Sequence, residues 1–379
     1  MKNLSVYVHI PFCKSKCYYC DFRSFQNCST DDIKEYMKDL LKEIEYYRDL
    51  GKSYVIDTLF IGGGTPSMVS SEFIVNVMER LGEIFYFVQF PEISIEGNPD
   101  TLTYDKMAHY YAAGINRISM GLQSNNQKLL KTLGRIHGSE DFLESLENAR
   151  EIGFNNINGD LMFGLPGQSL KTFQNTLKWT EKLEIPHISA YGLIINEETE
   201  LARKIDQGII PEPDEDLEVD MYDYLRKFLQ SKKYQHYEIS NFARPGFQCR
   251  HNRTYWENRE YLGFGLGAHS SMGEKRFSNA EDFRSYHHKI QSGEKPIAGV
   301  EILSDKDRLK ESLMLGLRLT EGIDLKLLEN RYETRLEDSI LDKIQEFKSQ
   351  GLLENHQSLL RLTPKGFYLS NSVFREIIG

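Results

Sequence analysis

Apolar and polar residues alternate with two different periodicities over the first two thirds of the chain. Short apolar or alternating runs predict strands at Leu4–Ile10, Val55–Ile61, Pro91–Glu96, Ile115–Met120, Asn156–Met162 and His187–Gly192. Longer stretches predict helices near Thr30–Leu50, Ser70–Phe85, Tyr104–Ala113, Ser139–Ile152 and Leu170–Leu183. Strand–helix alternation predicts parallel pairing with right-handed crossovers, in either a partial barrel or an open doubly wound sheet.

The loops that follow the predicted strands favour the barrel. Glycine-rich or polar sequence follows four successive strands, at residues 62–66, 96–99, 121–124 and 160–166. Both α/β architectures place their sites at the carboxyl ends of the strands. Because these loops come from all around the sheet, we expect them to form the mouth of a barrel.

The last third of the chain changes character. An amphipathic helix is predicted from four apolar residues at a spacing of four: Leu217, Met221, Leu225 and Leu229. Residues 236–300 show no clear period and are interpreted as a region connecting a barrel at 1–235 to a C-terminal domain at 301–379. Helical patterns at Lys306–Leu319 and Arg335–Ser349, followed by β-like Leu359–Pro364, predict a helical, winged-helix-like domain. It lacks a dense basic helix, which favours a packing or lid role over DNA binding.

Composition narrows the classes of function. The 379 residues include 46 Lys plus Arg and 56 Asp plus Glu, a net charge of −10, with 40% hydrophobic residues, as in ordinary globular proteins. The acidic balance argues against general nucleic-acid binding. No apolar run approaches the roughly 18 to 20 residues of a membrane span, and the N-terminus lacks the apolar block of a signal peptide. A cytoplasmic protein without an integral membrane segment is expected.

Three of the five cysteines, Cys13, Cys17 and Cys20, fall within eight residues directly after the first predicted strand. Thiolates are the soft ligands that iron–sulfur clusters and zinc prefer. Structural zinc generally takes four protein ligands, and the remaining Cys28 and Cys249 stand alone. Three thiolates on one loop suit a [4Fe–4S] cluster with one open iron, which can chelate S-adenosylmethionine. Incidental cysteines, or zinc with His9 as its fourth ligand, are the alternatives.

Several motifs together resemble one family. They are the cysteine trio, Gly-Gly-Gly-Thr-Pro at 62–66, Ser-Ile-Glu at 94–96, Ser-Met-Gly-Leu-Gln-Ser at 119–124, Gly-Arg-Ile at 134–136 and Asp-Leu-Met-Phe-Gly-Leu-Pro at 160–166. The chain resembles the radical S-adenosylmethionine (radical SAM) proteins, in the branch that contains oxygen-independent coproporphyrinogen III oxidase and a heme chaperone. The resemblance covers nearly the whole chain. It implies a partial (β/α)6 TIM-like barrel with a C-terminal helical domain.

The resemblance also implies a ligand site. Cys13, Cys17 and Cys20 would bind the cluster, and Tyr7 and Tyr19 would pack against S-adenosylmethionine. The methionine end of that cofactor would meet Gly63, Gly64 and Thr65. The remaining polar positions of the family's site are matched by Glu96, Gln123, Arg135 and Asp160. Read without the family, Glu96 and Asp160 could be helix caps or ion-pair members, and Arg135 an exposed loop charge.

Three features distinguish the chaperone from the oxidase. Asp21 and Phe22 follow Cys20, where the oxidase has Gly-Cys. The trio begins at residue 13, which leaves no room for the N-terminal arm of the oxidase. His251-Asn-x-x-Tyr255-Trp256 is similar to the HNxxYW signature of the chaperone. All three favour the chaperone.

A heme chaperone needs a heme site, and the signature suggests one. A neutral imidazole is a good axial ligand for heme iron, and aromatic neighbours can stack on the macrocycle. His251 is therefore predicted as the heme ligand, with Cys249 and His269 as rivals; a buried core histidine is the alternative.

The expected function is transfer of heme to an acceptor protein, with no residue assigned a catalytic role. An electron donor such as flavodoxin or ferredoxin is a further candidate partner. The alternative function is a radical-SAM oxidoreductase that decarboxylates a porphyrinogen.

Overall fold

Six parallel strands lie side by side in the first half of the molecule. The structure is a computed structural model that describes residues 1–378. The strands are β1 Lys2–Ile10, β2 Tyr54–Gly63, β3 Tyr86–Gly97, β4 Arg117–Gln123, β5 Asn156–Phe163 and β6 His187–Gly192. The helices between them are α1 Thr30–Glu45, α2 Ser71–Ile84, α3 Tyr104–Ala112, α4 Gln127–Thr132, α5 Ser139–Ile152 and α6 Leu170–Lys182. This arrangement confirms the predicted (β/α)6 partial barrel.

Burial explains why these segments form strands. On β1, Leu4, Val6, Val8 and Ile10 are completely buried, and β4 is buried along its whole length. Strands of a parallel sheet covered by helices are apolar on both faces for this reason. The start of β3 was missed because Tyr86 and Phe90 are exposed and the register with β2 shifts between Ile56 and Thr58.

The barrel strands belong to a larger sheet. Residues 200–302 contribute α7 Glu200–Asp206, α8 Glu215–Ser231, β7 Gln235–Glu238, β8 Asn241–Ala243, α9 Arg250–Trp256, β9 Tyr261–Phe264, β10 His269–Met272, β11 Lys275–Asn279, α10 Phe283–Gln291 and β12 Ile297–Ile302. The twelve strands lie in the order β12-β11-β10-β9-β1-β2-β3-β4-β5-β6-β8-β7. The segment that the sequence set apart as a connecting region therefore extends the barrel sheet at both edges. In α8, Met221, Leu225 and Leu229 are buried as predicted, and Leu217 is half-buried.

The C-terminal domain is helical with one hairpin, as expected. It contains α11 Asp305–Gly316, α12 Leu325–Tyr332, α13 Asp338–Ser349, β13 Leu353–His356, β14 Leu359–Leu362, α14 Pro364–Tyr368 and α15 Ser370–Ile378. The sequence did not predict α12, which is short and fully buries only Leu328 and Tyr332. Arg331 of this helix donates to the carbonyls of Glu257 and Asn258 at 2.9 and 2.6 Å, which ties the domain to the end of α9. Within residues 1–378, no helix is long and apolar enough to span a membrane.

Candidate functional site

The cysteine loop leaves β1 and lies across the mouth of the barrel. Its two arms are fixed by backbone hydrogen bonds, from Cys13 N to Phe25 O at 2.9 Å and from Tyr18 N to Leu133 O at 3.0 Å. Phe12 anchors the base of the loop, with its ring stacked at 5.9 Å on that of Phe283 in α10. Cys13 is buried, whereas Cys17 and Cys20 are half-buried.

The three thiols influence one another and contact neighbouring polar groups. Burial raises the pKa of Cys20 to about 11, and the adjacent Cys17 and Cys13 also raise it. Arg135 Nη1 lies 3.2 Å from Cys17 Sγ, and Thr65 Oγ1 lies 3.6 Å from Cys13 Sγ. Among residues 1–378, no group of three or more His, Cys, Asp or Glu is arranged to hold a single metal ion. Three thiols on one loop whose charges act on one another fit a cluster, because iron stabilises the thiolates that burial disfavours.

His9, the fourth ligand of the zinc alternative, is engaged elsewhere. Its Nδ1 lies 2.9 Å from Tyr7 Oη and its Nε2 lies 3.0 Å from the carbonyl of Arg23. Burial lowers the pKa of His9, which keeps the ring neutral. With both ring nitrogens in hydrogen bonds, His9 does not complete a zinc site with the cysteines.

The glycine loop after β2 packs directly against the cysteine loop. Gly64 N donates to Ile10 O at 2.9 Å, and Thr65 N donates to Phe12 O at 2.8 Å. A Cβ on Gly64 would lie 3.0 Å from Cys13 Sγ, and one on Gly63 would lie 2.6 Å from the His9 ring. Gly63 also has φ of 115°, a left-handed conformation that side chains rarely adopt. Only glycine allows this approach, which leaves backbone beside the thiols.

Two half-buried carboxyl groups, those of Glu96 and Asp160, lie near the end of β3 and within β5. Glu96 accepts from Gly63 N at 3.2 Å, and burial together with Asp160 raises its pKa to about 7. Asp160 accepts from Asn158 Nδ2 at 2.7 Å and from Ser119 Oγ at 3.2 Å, and burial raises its pKa too. Neither carboxyl forms an ion pair or caps a helix in the described part of the chain. Half-buried carboxyl groups that form no direct ion pair among residues 1–378 fit a ligand that carries positive charge.

The remaining predicted polar residues meet at the same mouth. Arg135 is half-buried, donates from Nη2 to Gly121 O at 2.9 Å as well as contacting Cys17, and so is not an exposed loop charge. Tyr19 lies beside Arg135 and Cys17, and burial raises its pKa. Gln123 is buried with φ of 63°, which costs a non-glycine residue about 1 to 3 kcal/mol and is typical of functional sites.

His251 does not have the geometry predicted for a heme ligand. Its side chain is 1% exposed and stacks on Phe60 at 5.3 Å. Nδ1 lies 2.8 Å from Thr58 Oγ1 and Nε2 lies 2.9 Å from Tyr255 Oη, so both nitrogens are occupied. Burial and the charges of Arg117 and Arg259 lower its pKa to about 3. The alternative of a hydrogen-bonded core histidine describes this structure, and the sequence could not reveal it because Thr58 comes from a distant strand.

The two rival candidates for the heme ligand, Cys249 and His269, do not line a cavity together with His251. Cys249 is completely buried, donates from Sγ to Glu92 Oε1 at 3.4 Å, and has its pKa raised by burial to about 12. His269 is exposed on β10, opposite Ser278 of β11.

The aromatic residues of the HNxxYW signature line a cavity of about 730 Å³ between the barrel and the C-terminal domain. Tyr255 and Trp256 form one wall, Tyr191 at the end of β6 another, and Arg318 of the C-terminal domain a third. The Arg318 guanidinium lies 4.2 Å from the centre of the Trp256 ring. Among residues 1–378, four buried atoms on the lining residues have no hydrogen-bond partner: Glu238 Oε2, Asn241 Oδ1, Trp256 Nε1 and Arg318 Nε.

Sequence reasoning missed Arg318, Tyr191 and Glu238, because nothing in their local sequence marks them. A second cavity, of about 820 Å³, lies at the opposite end of the strands and contains none of the predicted site residues.

The fold and the cysteine loop together define a class of protein. A partial barrel whose first loop presents three cysteines is the arrangement of radical SAM proteins, and the Radical SAM superfamily profile matches residues 7–180. A second profile, the HemN C-terminal domain, matches residues 303–369. Membership of the superfamily implies a [4Fe–4S] cluster and S-adenosylmethionine.

Comparison with full-length relatives identifies the family within the radical SAM superfamily. The heme chaperone HemW of Bacillus subtilis is 35% identical over 99% of this chain and 99% of its own, and that of Escherichia coli K12 is 33% identical over 99% and 98%. The solved structure of coproporphyrinogen III oxidase (HemN) from Escherichia coli, a radical SAM enzyme, has a TM-score of 0.87 at 27% identity, over 99% of this chain and 90% of that one. The chain belongs to the heme chaperone HemW family.

Proposed function

We propose that this protein binds heme and transfers it to an acceptor protein, while holding a [4Fe–4S] cluster and S-adenosylmethionine at the barrel mouth. The main support for the proposal is the cavity beside the barrel mouth. Its aromatic wall of Tyr255 and Trp256 suits a flat macrocycle, and its two unpartnered N–H donors, Trp256 Nε1 and Arg318 Nε, suit propionate groups. Arg318, stacked on Trp256, is the cation best placed for a propionate.

The cofactor residues take the roles that their contacts support. Cys13, Cys17 and Cys20 hold the cluster, and Arg135 orients Cys17 by its hydrogen bond. Gly63, Gly64 and Thr65 admit the amino-acid end of S-adenosylmethionine against the cysteine loop, while Tyr7 and Tyr19 pack beside it. Glu96 and Asp160 face its positive charges, and Gln123 supplies an amide at the end of β4. When bound, the cluster can coordinate the cofactor and pass it one electron.

The cluster assignment is tested by removing one thiol. In Cys17→Ala, reconstituted under anaerobic conditions, we expect loss of most bound iron and sulfide with an unchanged melting temperature, because the loop lies outside the barrel core. Cys28→Ala is the matched control, since Cys28 is also half-buried but lies outside the trio. Iron and sulfide analysis, together with absorption spectroscopy, measures the cluster content of both variants. Full cluster content in Cys17→Ala would reject the ligand assignment.

A second candidate function is decarboxylation of a porphyrinogen, favoured by the structural likeness to HemN. Against it stands the sequence after Cys20, which is Asp21-Phe22. The test is to incubate the anaerobically reconstituted protein with coproporphyrinogen, S-adenosylmethionine and a flavodoxin or ferredoxin electron donor. We expect no decarboxylated product. Product at catalytic turnover would replace the chaperone proposal with the enzyme.

Heme transfer needs an acceptor protein, and the chemistry of the cavity does not identify that protein. The heme-loaded protein mixed with an apo-hemoprotein should lose its heme spectrum as the acceptor gains one. Retention of heme against an acceptor of higher affinity would contradict a transfer role.

A further inference from the structure

One face of α8 forms an acidic wall of the cavity between the barrel and the C-terminal domain. Four residues of this helix, at the three- and four-residue spacing of a single helix face, line the cavity: Glu215, Glu218, Val219 and Tyr222. The apolar Met221 belongs instead to the buried face that the sequence predicted. Helix α8 therefore presents two carboxyl groups to the cavity, beside the exposed apolar side chain of Val219.

The carboxyl group of Glu218 lies over the carboxyl ends of β5 and β6. A Cβ on Gly164 would lie 3.2 Å from Glu218 Oε2, and one on Gly192 would clash with Glu218 Oε1. Burial raises the pKa of Glu218, and the neighbouring Glu215 raises it further. Neither glutamate side chain forms an ion pair or a hydrogen bond among residues 1–378. The negative charge of this wall is therefore not compensated by a neighbouring cation.

The cation and the free N–H donors of the cavity belong to other walls. Arg318 is the only Arg, Lys or His among the lining residues that the structure describes, and it stacks on Trp256 of α9. Its Nε and the Nε1 of Trp256 are buried N–H groups without a partner. Arg318 forms no ion pair with Glu215 or Glu218 in residues 1–378. A carboxylate of a ligand is therefore favoured beside Arg318 and disfavoured beside α8.

Glu238 on β7 is a third carboxyl group of the same cavity. Its Oε1 accepts from Ser240 N at 3.1 Å, whereas its Oε2 is buried and has no partner among residues 1–378. Burial raises the pKa of Glu238, and the charge of Arg318 opposes that rise. One guanidinium thus serves a lining that already contains three carboxyl groups, so it cannot compensate carboxylates at every edge of a ligand.

Porphyrins differ in where they carry carboxylates. Protoheme has two propionates, both at one edge of the ring, and only methyl and vinyl groups around the remainder. A coproporphyrin carries propionates in place of both vinyl groups, so carboxylates project away from Arg318 whichever way the ring lies. The apolar edge of protoheme suits the exposed side chains of Ile194 and Val219, which line the cavity.

Resting on the proposed heme-binding function, we infer that Glu215 and Glu218 make the cavity selective for porphyrins whose carboxylates all lie at one edge. A propionate beside α8 would meet two carboxyl groups in a partly desolvated wall, where like charges repel more strongly than in water. Specificity of this kind arises by rejection of the wrong ligand, and a correctly oriented heme presents no charge to α8. Glu215 and Glu218 are therefore specificity-determining residues.

The experiment compares three ferric porphyrins as ligands of the purified full chain: hemin, ferric mesoporphyrin and ferric coproporphyrin. Ferric mesoporphyrin is the control for the vinyl groups, because it carries ethyl groups in their place and keeps the two propionates. The wild type should bind hemin and ferric mesoporphyrin with affinities within about threefold of each other. It should bind ferric coproporphyrin at least about tenfold more weakly than either.

Glu218→Gln removes the charge and keeps the size of the side chain. This variant should bind ferric coproporphyrin at least about fivefold more tightly than the wild type, with less than about a twofold change for hemin. Combining it with Glu215→Gln should remove most of the discrimination, and such a gain of affinity cannot arise from misfolding. Asp220→Asn is the matched control, because Asp220 is an exposed acidic residue of α8 that does not line the cavity. It should leave all three affinities unchanged.

The ionic strength gives an independent readout. Selectivity that arises from charge should decrease as salt is added, whereas exclusion by size should not change. A discrimination that is independent of salt would overturn the assignment to the carboxyl groups.

The inference and the proposed function fail in different ways. If the wild type binds none of the three porphyrins, the proposed function itself is rejected. If it binds hemin and ferric coproporphyrin equally well, or if the double variant keeps the discrimination of the wild type, the specificity assignment is overturned and heme binding stands. Binding of ferric mesoporphyrin as weak as that of ferric coproporphyrin would also overturn it, because the vinyl groups would then account for the selectivity.

Discussion

Buried ionisable side chains determine the chemistry of individual residues in this molecule. The cysteines, the glycine loop and the polar residues at the barrel mouth could be predicted, because their spacing follows a family pattern within short segments. His251 could not, since its character depends on Thr58, which is 193 positions away. Arg318 was missed for the same reason: its partner, Trp256, belongs to another domain.

Glu96 illustrates how a desolvated carboxyl group can reduce stability. Its pKa of about 7 lies above the ordinary value of 4.5, so ionisation opposes folding and stability falls as the pH rises from 4.5 to about 7. Without ligand, Glu96→Gln should therefore be more stable than the wild type by about 1 to 3 kcal/mol above that range, and equal to it below pH 4.5. Urea unfolding at two pH values measures this difference.

The same variant should bind S-adenosylmethionine more weakly, because the ionised carboxylate that it lacks would attract the cofactor's positive charge. Isothermal titration calorimetry with S-adenosylmethionine measures this change in affinity. Unchanged affinity together with unchanged stability would show that Glu96 is neither ionised nor in the site. Glu83→Gln is a suitable control, since Glu83 is an exposed residue on α2.

Among the secondary-structure elements, α9 departs most from what its sequence predicts. Elements with long periodic patterns were predicted well, and the bounds of β6 and α5 agree with the structure to the residue. Helix α9 has seven residues, too few to be stable alone. Its amide groups at Arg250 and His251 each donate to Glu92 at 2.9 Å, and Arg250 also pairs with Asp57. Long-range contacts therefore create this helix, and a local pattern cannot show them.

Loss of the Glu92 carboxylate should loosen α9. In Glu92→Gln, an amide NH2 replaces one acceptor oxygen opposite backbone N–H donors, at a cost of about 1 to 3 kcal/mol. We expect faster hydrogen exchange at residues 250–256 and weaker heme binding, with iron and sulfide content unchanged. Mass spectrometry of exchanged peptides checks the first and hemin titration the second. If cluster content fell in parallel with heme binding, the effect would be general unfolding instead.

At the scale of the whole molecule, two domains share one cavity. The partial barrel and the helical C-terminal domain were both predictable, because each follows from regular local patterns. The twelve-stranded sheet and the cavity were not, since they depend on pairings such as β9 with β1 and on the approach of Arg318 to Trp256. The barrel supplies the aromatic wall, and the C-terminal domain supplies the cation.

Removal of that cation should separate heme binding from cluster binding. For Arg318→Gln we expect about tenfold weaker hemin affinity, from the loss of both the contact with Trp256 and a propionate partner. Iron, sulfide and S-adenosylmethionine binding should not change. Arg308→Gln is the matched control, because Arg308 lies in the same domain but stacks on Tyr332, which does not line the cavity. Equal hemin affinity in the two variants would exclude Arg318 from the heme site.

The strand that leads into the cysteine loop has a neighbour from far along the chain. Residues Ser5 to Val8 of β1 pair on one side with β2 and on the other with Tyr261–Phe264 of β9. During synthesis on the ribosome, this second neighbour emerges only after more than 250 further residues. The thiols are made among the first twenty residues, yet the strand beneath them is completed late in translation. We therefore expect the proposed cluster to be inserted late, after β1 has paired with β9 beneath the cysteine loop.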